Sequence, residues 1–187
     1  MSPKTHGLVQ VYAGTGKGKT TASLGLALRA CGAGQRVAIV FFDKGGEHYS
    51  ERNILEKVGV DWFGYGLDRI NPNTNRFRFG VVPDDIECAR RGVAKVRALF
   101  KKNEHDILIL DEINAVVALE MVQESTVERL IDEKPKNLEL ILTGRTEIVQ
   151  GKCMRPSYFE RADLISEMRL VKHYFYTGVP AREGIDY

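Results

Sequence analysis

Ala13-Gly14-Thr15-Gly16-Lys17-Gly18-Lys19-Thr20-Thr21 is the stretch that decides the fold of this chain. It follows an apolar run, Leu8 to Tyr12, read as a strand. It opens a second run, Thr20 to Cys31, read as a helix with Leu24, Leu28 and Cys31 on one face and Gly32 as its stop. The pattern G-x-x-x-x-G-K-[ST] asks for glycine at position 13, where Ala13 stands, and is otherwise met by Gly18, Lys19 and Thr20. Gly14, Gly16 and Gly18 let the backbone turn so that successive N–H groups point inward at phosphate oxygens. The helix start adds its positive dipole end, Lys19 a point charge, and the Thr20 hydroxyl a ligand for Mg²⁺. A dinucleotide fingerprint is excluded, because its third glycine would fall on Lys17.

Downstream, strands and helices alternate. Strands are expected at Val37–Phe42, Val60–Tyr65, Ile107–Leu110, Leu138–Thr143, Leu164–Met168 and Val171–Tyr176. Helices are expected at Ser50–Val58 (capped by Ser50, with Asn53 competing), Asp84–Lys102 behind Pro83, Ile113–Met121 and Ser125–Asp132, with a helical turn at Ser157–Ala162. Residues 66–83 and 146–157 read as loops. That order predicts an α/β chain, a P-loop NTPase-like (RecA-like) fold with a mainly parallel sheet flanked by helices, and one nucleotide-binding domain over residues 1–187.

Asp106-Ile-Leu-Ile-Leu-Asp111-Glu112 is an apolar strand ending in two carboxylates, which suits an acid set against Mg²⁺. Thr20 and Glu112 are the expected metal ligands, with Asp111 as the alternative acid. Length and composition fit this reading. The 187 residues are 43% hydrophobic and 28% charged, and 27 Lys and Arg stand against 25 Asp and Glu. A net charge of +2 does not favour a nucleic-acid partner held by bulk charge. No apolar run approaches the roughly 18 residues that span a membrane. The N-terminus has no apolar signal core, and Cys31, Cys88 and Cys153 are too few and too scattered for a disulfide framework, so a cytoplasmic protein is expected. Trp62 reads as core and Cys153 as a bystander thiol. His173 reads as a packed or hydrogen-bonded histidine, with metal ligation as the alternative. The basic side chains Arg90, Arg91, Lys95, Arg97, Lys101 and Lys102 read as a solvated helix face.

The ordered motifs resemble those of the P-loop class of ATP:corrinoid (cob(I)alamin) adenosyltransferases. The loop from Gly14 to Thr21 is similar to that family's G-N-G-K-G-K-T-T. Val40-Phe41-Phe42-Asp43-Lys44-Gly45 is similar to V-x-Q-F-I-K-G, with Phe41 and Asp43 in place of Gln and Ile. Glu51-Arg52-Asn53, Leu110-Asp111-Glu112-Ile113, Thr143-Gly144-Arg145, Ala162 to Met168, Val171-Lys172-His173 and Gly184-Ile185-Asp186-Tyr187 continue the match. The resemblance implies ATP lying reversed in the loop, a cobalt(I) corrinoid attacking its 5′ carbon, and triphosphate leaving. It implies nucleotide contacts from Gly14, Thr15, Gly16, Lys17, Gly18, Lys19, Thr20 and Thr21. Lys19, Glu112 and Arg145 are the expected catalytic residues, and Thr20, Asp111 and Glu112 the expected Mg²⁺ site. A homodimer and a flavodoxin-like or other reductase partner are also implied. Gly66 to Pro72 replaces an aromatic segment of the family, so Phe77 and Phe79 are the candidates to pack against the corrin. Two other readings stay open: a small-molecule kinase with Arg145, Lys152, Arg155 and Arg161 as a basic lid, and a non-catalytic ATP-binding protein of the same fold.

Overall fold

β1 (Val9–Ala13) runs straight into the glycine-rich loop, and α1 (Lys19–Gly32) leads out of it. The structure is a computed structural model that describes residues 6–46, 49–69, 78–146, 148–149 and 152–186. The remaining elements follow in chain order. β2 is Val37–Phe42, α2 Arg52–Leu55, β3 Val60–Tyr65, α3 Pro83–Lys102 and β4 Ile107–Asp111. α4 is Ile113–Ala118, α5 Glu124–Glu133, β5 Glu139–Thr143, β6 Ile148–Val149, β7 Lys152–Cys153 and β8 Leu164–Glu167.

Six strands form one sheet in the order β3-β2-β4-β5-β1-β8, every pair parallel. The expected P-loop NTPase-like α/β fold is what the chain adopts. All six residues of β2 and all five of β4 are buried, the continuous apolar pattern of strands covered on both faces. α3 lays Ala89, Val93, Val96, Leu99 and Phe100 on one side of the sheet, a helical period of three and four residues. Burying each of its larger side chains contributes about 1.5–3 kcal/mol. Its basic residues lie on the outer side, where Arg90 pairs with Glu87 and Arg97 with Glu133. Lys95 is set 3.6 Å over the Phe63 ring.

Several local expectations are corrected. α1 turns Ser23, Ala27 and Ala30 to the sheet while Leu28 is 61% exposed, because small side chains let the helix approach closely. Ser50 does not cap a helix: α2 begins at Arg52 without a side-chain cap and passes into a 3-10 turn at Glu56–Val58. α4 stops at Ala118, short of Met121, where Glu120 takes a positive φ of 56°. The loop at 146–157 contains the antiparallel ribbon β6–β7. Val171–Tyr176 is not a strand. β8 is the last strand at that end of the sheet, Val171 is 95% exposed, and Tyr174–Thr177 is a 3-10 turn. Trp62 is half-buried, edge-on to Phe41 with ring centroids 6.5 Å apart.

Candidate active site

All parallel strands end on the same side, so the loops that follow them meet at one rim. Register fixes which side chains share it. Tyr12 pairs with Thr143, Leu110 with Leu142, and Phe41 with Asp111. β5 therefore sits between the strand that feeds the glycine-rich loop and the strand that ends in the two acids. The acid still reaches the loop: Thr20 Oγ1 is 3.4 Å from Asp111 Oδ2. Thr143, on the intervening strand, donates to Asp111 Oδ1 at 2.6 Å and accepts from the Glu112 N–H at 3.0 Å.

The loop uses its glycines in two ways. Gly14 (φ 106°) and Gly18 (φ 114°) occupy the left-handed region that side chains disfavour. A Cβ at Gly14 or Gly16 would also run into the Met168–Arg169 backbone, because this part of the loop is clasped by the chain after β8. The Gly16 N–H donates to the Met168 carbonyl at 2.7 Å, and Thr15 Oγ1 accepts from the Leu170 N–H at 3.3 Å. Lys17, Gly18, Lys19, Thr20 and Thr21 line a cleft of ≈ 540 Å³ with Leu24, Lys44, Tyr49, Glu51, Glu112 and Ile185. Lys19 is buried, and its ammonium donates to the Gly16 carbonyl at 2.7 Å.

Lys44 is the site residue that the phosphate-loop pattern leaves out. Its ammonium donates to Asp111 Oδ2 at 2.5 Å and to Thr20 Oγ1 at 3.0 Å, joining the two groups expected to hold Mg²⁺. Burial opposes its charge, but the carboxylates of Asp111 and Glu112 outweigh burial and hold the ammonium above its ordinary pKa. Glu112 sits in the left-handed region (φ 62°), which turns its side chain into the cleft. Burial first, and Asp111 next, raise its pKa, while Lys44, Lys19 and Arg145 pull it down. Asp111 is fully buried behind it.

Two side chains from outside the loop position Lys44. Arg52 donates to the Lys44 carbonyl and to the Gly46 carbonyl, both at 2.7 Å. Its guanidinium lies 4.8 Å from the Tyr49 ring and 5.1 Å from Trp62. Asp43, in positive φ, receives Arg69 through Nε at 2.8 Å and Nη2 at 2.7 Å. Two of the places where the chain departs from the family pattern, position 43 and the segment after β3, are thus joined by one ion pair. An arginine flanked by Tyr49 and Trp62 was the available signal for the first device. Nothing local announces the second.

Of the other expected site residues, Arg145 is exposed and does not line the cleft, though its charge is felt at Glu112. Lys17 turns away from the loop amides. It donates to the Tyr174 hydroxyl at 3.1 Å, to the Ile185 carbonyl at 2.6 Å and to the Asp186 carboxylate. His173 Nδ1 accepts from the Phe175 N–H at 3.1 Å, a contact at the start of the 3-10 turn. Phe79 is 86% exposed, and Phe77 falls outside the described residues, as do Asn71, Pro72 and Tyr187. The side chains of Lys152 and Cys153 also lie outside the description.

The donor set at the rim suits Mg²⁺ in kind, but the Lys44 ammonium holds Thr20 Oγ1 and Asp111 Oδ2 and would have to be displaced from them. A hydroxyl and two carboxylates are hard oxygen ligands, and this ion characteristically takes only one or two protein carboxylates alongside substrate phosphates. Among the described residues no cluster of three or more His, Cys, Asp or Glu is suited to holding a metal by itself.

Comparison with known proteins places this architecture. The chain is 35% identical over 186 residues to the corrinoid adenosyltransferase of Escherichia coli (strain K12), covering 97% of this chain and 86% of that one. It is 35% identical over 182 residues to the corrinoid adenosyltransferase CobA of Salmonella typhimurium, with the same two shares covered. It is 31% identical over 193 residues to the corrinoid adenosyltransferase of a Sinorhizobium species, covering 100% and 84%. The sequence model of the family described as ATP:corrinoid adenosyltransferase BtuR/CobO/CobP matches residues 5–187, and the chain belongs to that family.

Proposed function

We propose that the protein transfers the 5′-deoxyadenosyl group of ATP to the cobalt(I) of a corrinoid and releases triphosphate. The observation that carries the reading is the phosphate-loop cleft, rimmed by Lys19, Thr20, Lys44 and Glu112, in a chain matched over residues 5–187 by this family. In the reaction the cobalt(I) electron pair forms the cobalt–carbon bond at C5′. The C5′–O bond breaks, its electrons leave on the triphosphate, and the metal becomes formally cobalt(III). No water or acceptor hydroxyl needs activation, so the site has no need of a general base. What it needs is positive charge on the leaving triphosphate. The loop amides from Lys17 to Thr21, the Lys19 ammonium and the Lys44 ammonium would supply it. Thr20 and Glu112, with Asp111 behind them, would hold Mg²⁺, which supplies further charge neutralisation to the phosphates.

The kinase alternative has less support, because its basic lid is dispersed. Arg161 is paired with Asp132 of α5, and Arg155 comes to 4.0 Å from Glu167. We read residues 1–187 as one nucleotide-binding domain acting in the cytoplasm as a homodimer, with a flavodoxin-like or other reductase supplying electrons. Among the described residues no helix is long and apolar enough to cross a membrane.

Anaerobic incubation with ATP, Mg²⁺ and a corrinoid pre-reduced to cobalt(I) tests the activity. Adenosylated corrinoid and triphosphate in equal amounts are expected. ADP with a phosphorylated acceptor, or bound ATP with no product, would overturn the reading.

A further inference from the structure

Residues 174–186 form a compact turn held together by Asp186. Its carboxylate accepts from the Lys17 ammonium, from the Tyr174 hydroxyl, and from Arg182 through the backbone N–H at 3.0 Å and Nε at 3.4 Å. Arg182 also lies 4.7 Å from the centroid of the Tyr174 ring. Lys17 of the phosphate loop fastens the turn, reaching Tyr174, the Ile185 carbonyl and Asp186 together. Gly184, Ile185 and Asp186 line the cleft together with Tyr49, Ser50 and Glu51.

A carboxylate with four donors is not a weakly held placeholder for a phosphate. It is the hub of a folded element. Two of its aromatic side chains face solvent: Phe175 and Tyr176 are 64% and 75% exposed. We propose that Asp186 is a positioning residue for the nucleotide, which acts through Lys17 to hold the 174–186 turn as the second wall of the ATP cleft. Ile185, 59% exposed and lining the cleft with Leu24, is the apolar surface that this wall presents to the nucleoside half of ATP. The inference rests on the nucleotide reading of the cleft, and extends it by giving Lys17 a partner other than phosphate.

The test is calorimetric titration of the full chain with Mg·ATP, together with amide hydrogen exchange over residues 174–186 without nucleotide. Variants are Asp186→Asn, Asp186→Glu, Lys17→Met and the Lys17→Met/Asp186→Asn double. If the wall closes only a tenth of the time in Asp186→Asn, the apparent Kd for ATP rises about tenfold. Exchange of the turn should quicken in Asp186→Asn and in Lys17→Met alike. Asp186→Glu should recover part of the affinity, and adding Asp186→Asn to Lys17→Met should cost nothing more. An unchanged Kd in Asp186→Asn, tighter binding (which would make the carboxylate a competitor of phosphate), or full additivity in the double variant would each overturn the proposal. Failure of the nucleotide reading itself looks different: the unaltered protein would then bind no ATP at all.

Discussion

The Lys44 ammonium lies 2.5 Å from Asp111 Oδ2, in a pocket where Asp111 is fully buried and the Lys44 side chain 13% exposed. One lysine from the end of β2 therefore neutralises the acid at the end of β4. It does so because Phe41 and Asp111 are register partners and Lys44 lies three residues beyond Phe41.

Replacing Lys44 with Met should destabilise the fold strongly. Removing one partner of a buried pair strands the other charge, at a cost of about 3–5 kcal/mol. The Lys44→Met/Asp111→Asn double variant should recover much of that loss. Urea denaturation of the three proteins checks both statements, and an unchanged midpoint in Lys44→Met would refute the first.

Lys19→Ala should weaken ATP binding by about 2–4 kcal/mol, the scale of a lost charge-assisted contact to phosphate. Unfolding should be affected less, since the lysine's contact with the Gly16 carbonyl is local to the loop. Calorimetry at constant Mg²⁺ measures the first and thermal denaturation the second. Wild-type affinity in the variant would remove Lys19 from the site.

Glu112→Gln should raise the Mg²⁺ concentration needed for half-maximal ATP binding and for turnover. The buried carboxylate has its pKa raised by burial and by Asp111, so keeping it ionised in the folded protein is unfavourable. Its amide replacement should therefore fold at least as stably at neutral pH. A variant that keeps the wild-type Mg²⁺ requirement would shift the ligand role to Asp111.

At the start of α3, Asp85 accepts from the Val82 N–H at 2.9 Å and pairs with Arg78 through both carboxylate oxygens at 2.8 Å. Arg78 first, and the Val82 N–H with it, hold its pKa below the usual carboxylate value, although burial pulls the other way. A carboxyl depressed in the folded state stabilises above its unfolded pKa of about 3.9, and that contribution disappears as pH falls through the folded value. Asp85→Ala should cost ~1 kcal/mol at pH 7 through the lost helix cap. The difference from wild type should vanish in acid. Denaturation series from pH 7 to pH 2 would expose the error if the gap stayed constant.

Much of the site was legible before any coordinates. The loop from Gly14 to Thr21 carries its conformation in its glycines, and Asp111-Glu112 follows an apolar strand; both are local features. The strand limits at Val37–Phe42 and Val60–Tyr65 were legible because a buried parallel strand is continuously apolar. Leu28 was misplaced for a related reason. Helical spacing gives the face only if bulk decides burial, and here Ala27 and Ala30 let α1 sit close to the sheet. Val171–Tyr176 has the composition of a strand, but the chain turns at Tyr174–Thr177 and Tyr174 meets Lys17 of the glycine-rich loop, a long-range contact that composition does not show.

Alone, the sequence determined the glycine-rich loop, the alternation of strands and helices, and the acidic strand end, because each depends on residues within a few positions of one another. Tertiary structure decided the rest. It put β5 between the loop strand and the acid strand, so that Thr143 ties Asp111 to Glu112. It brought Lys44 onto Asp111, Arg69 onto Asp43, and Asp186 back across 169 residues onto Lys17. These are contacts between side chains far apart in the chain. Sheet order and register select such pairs, and neither is set by local propensity.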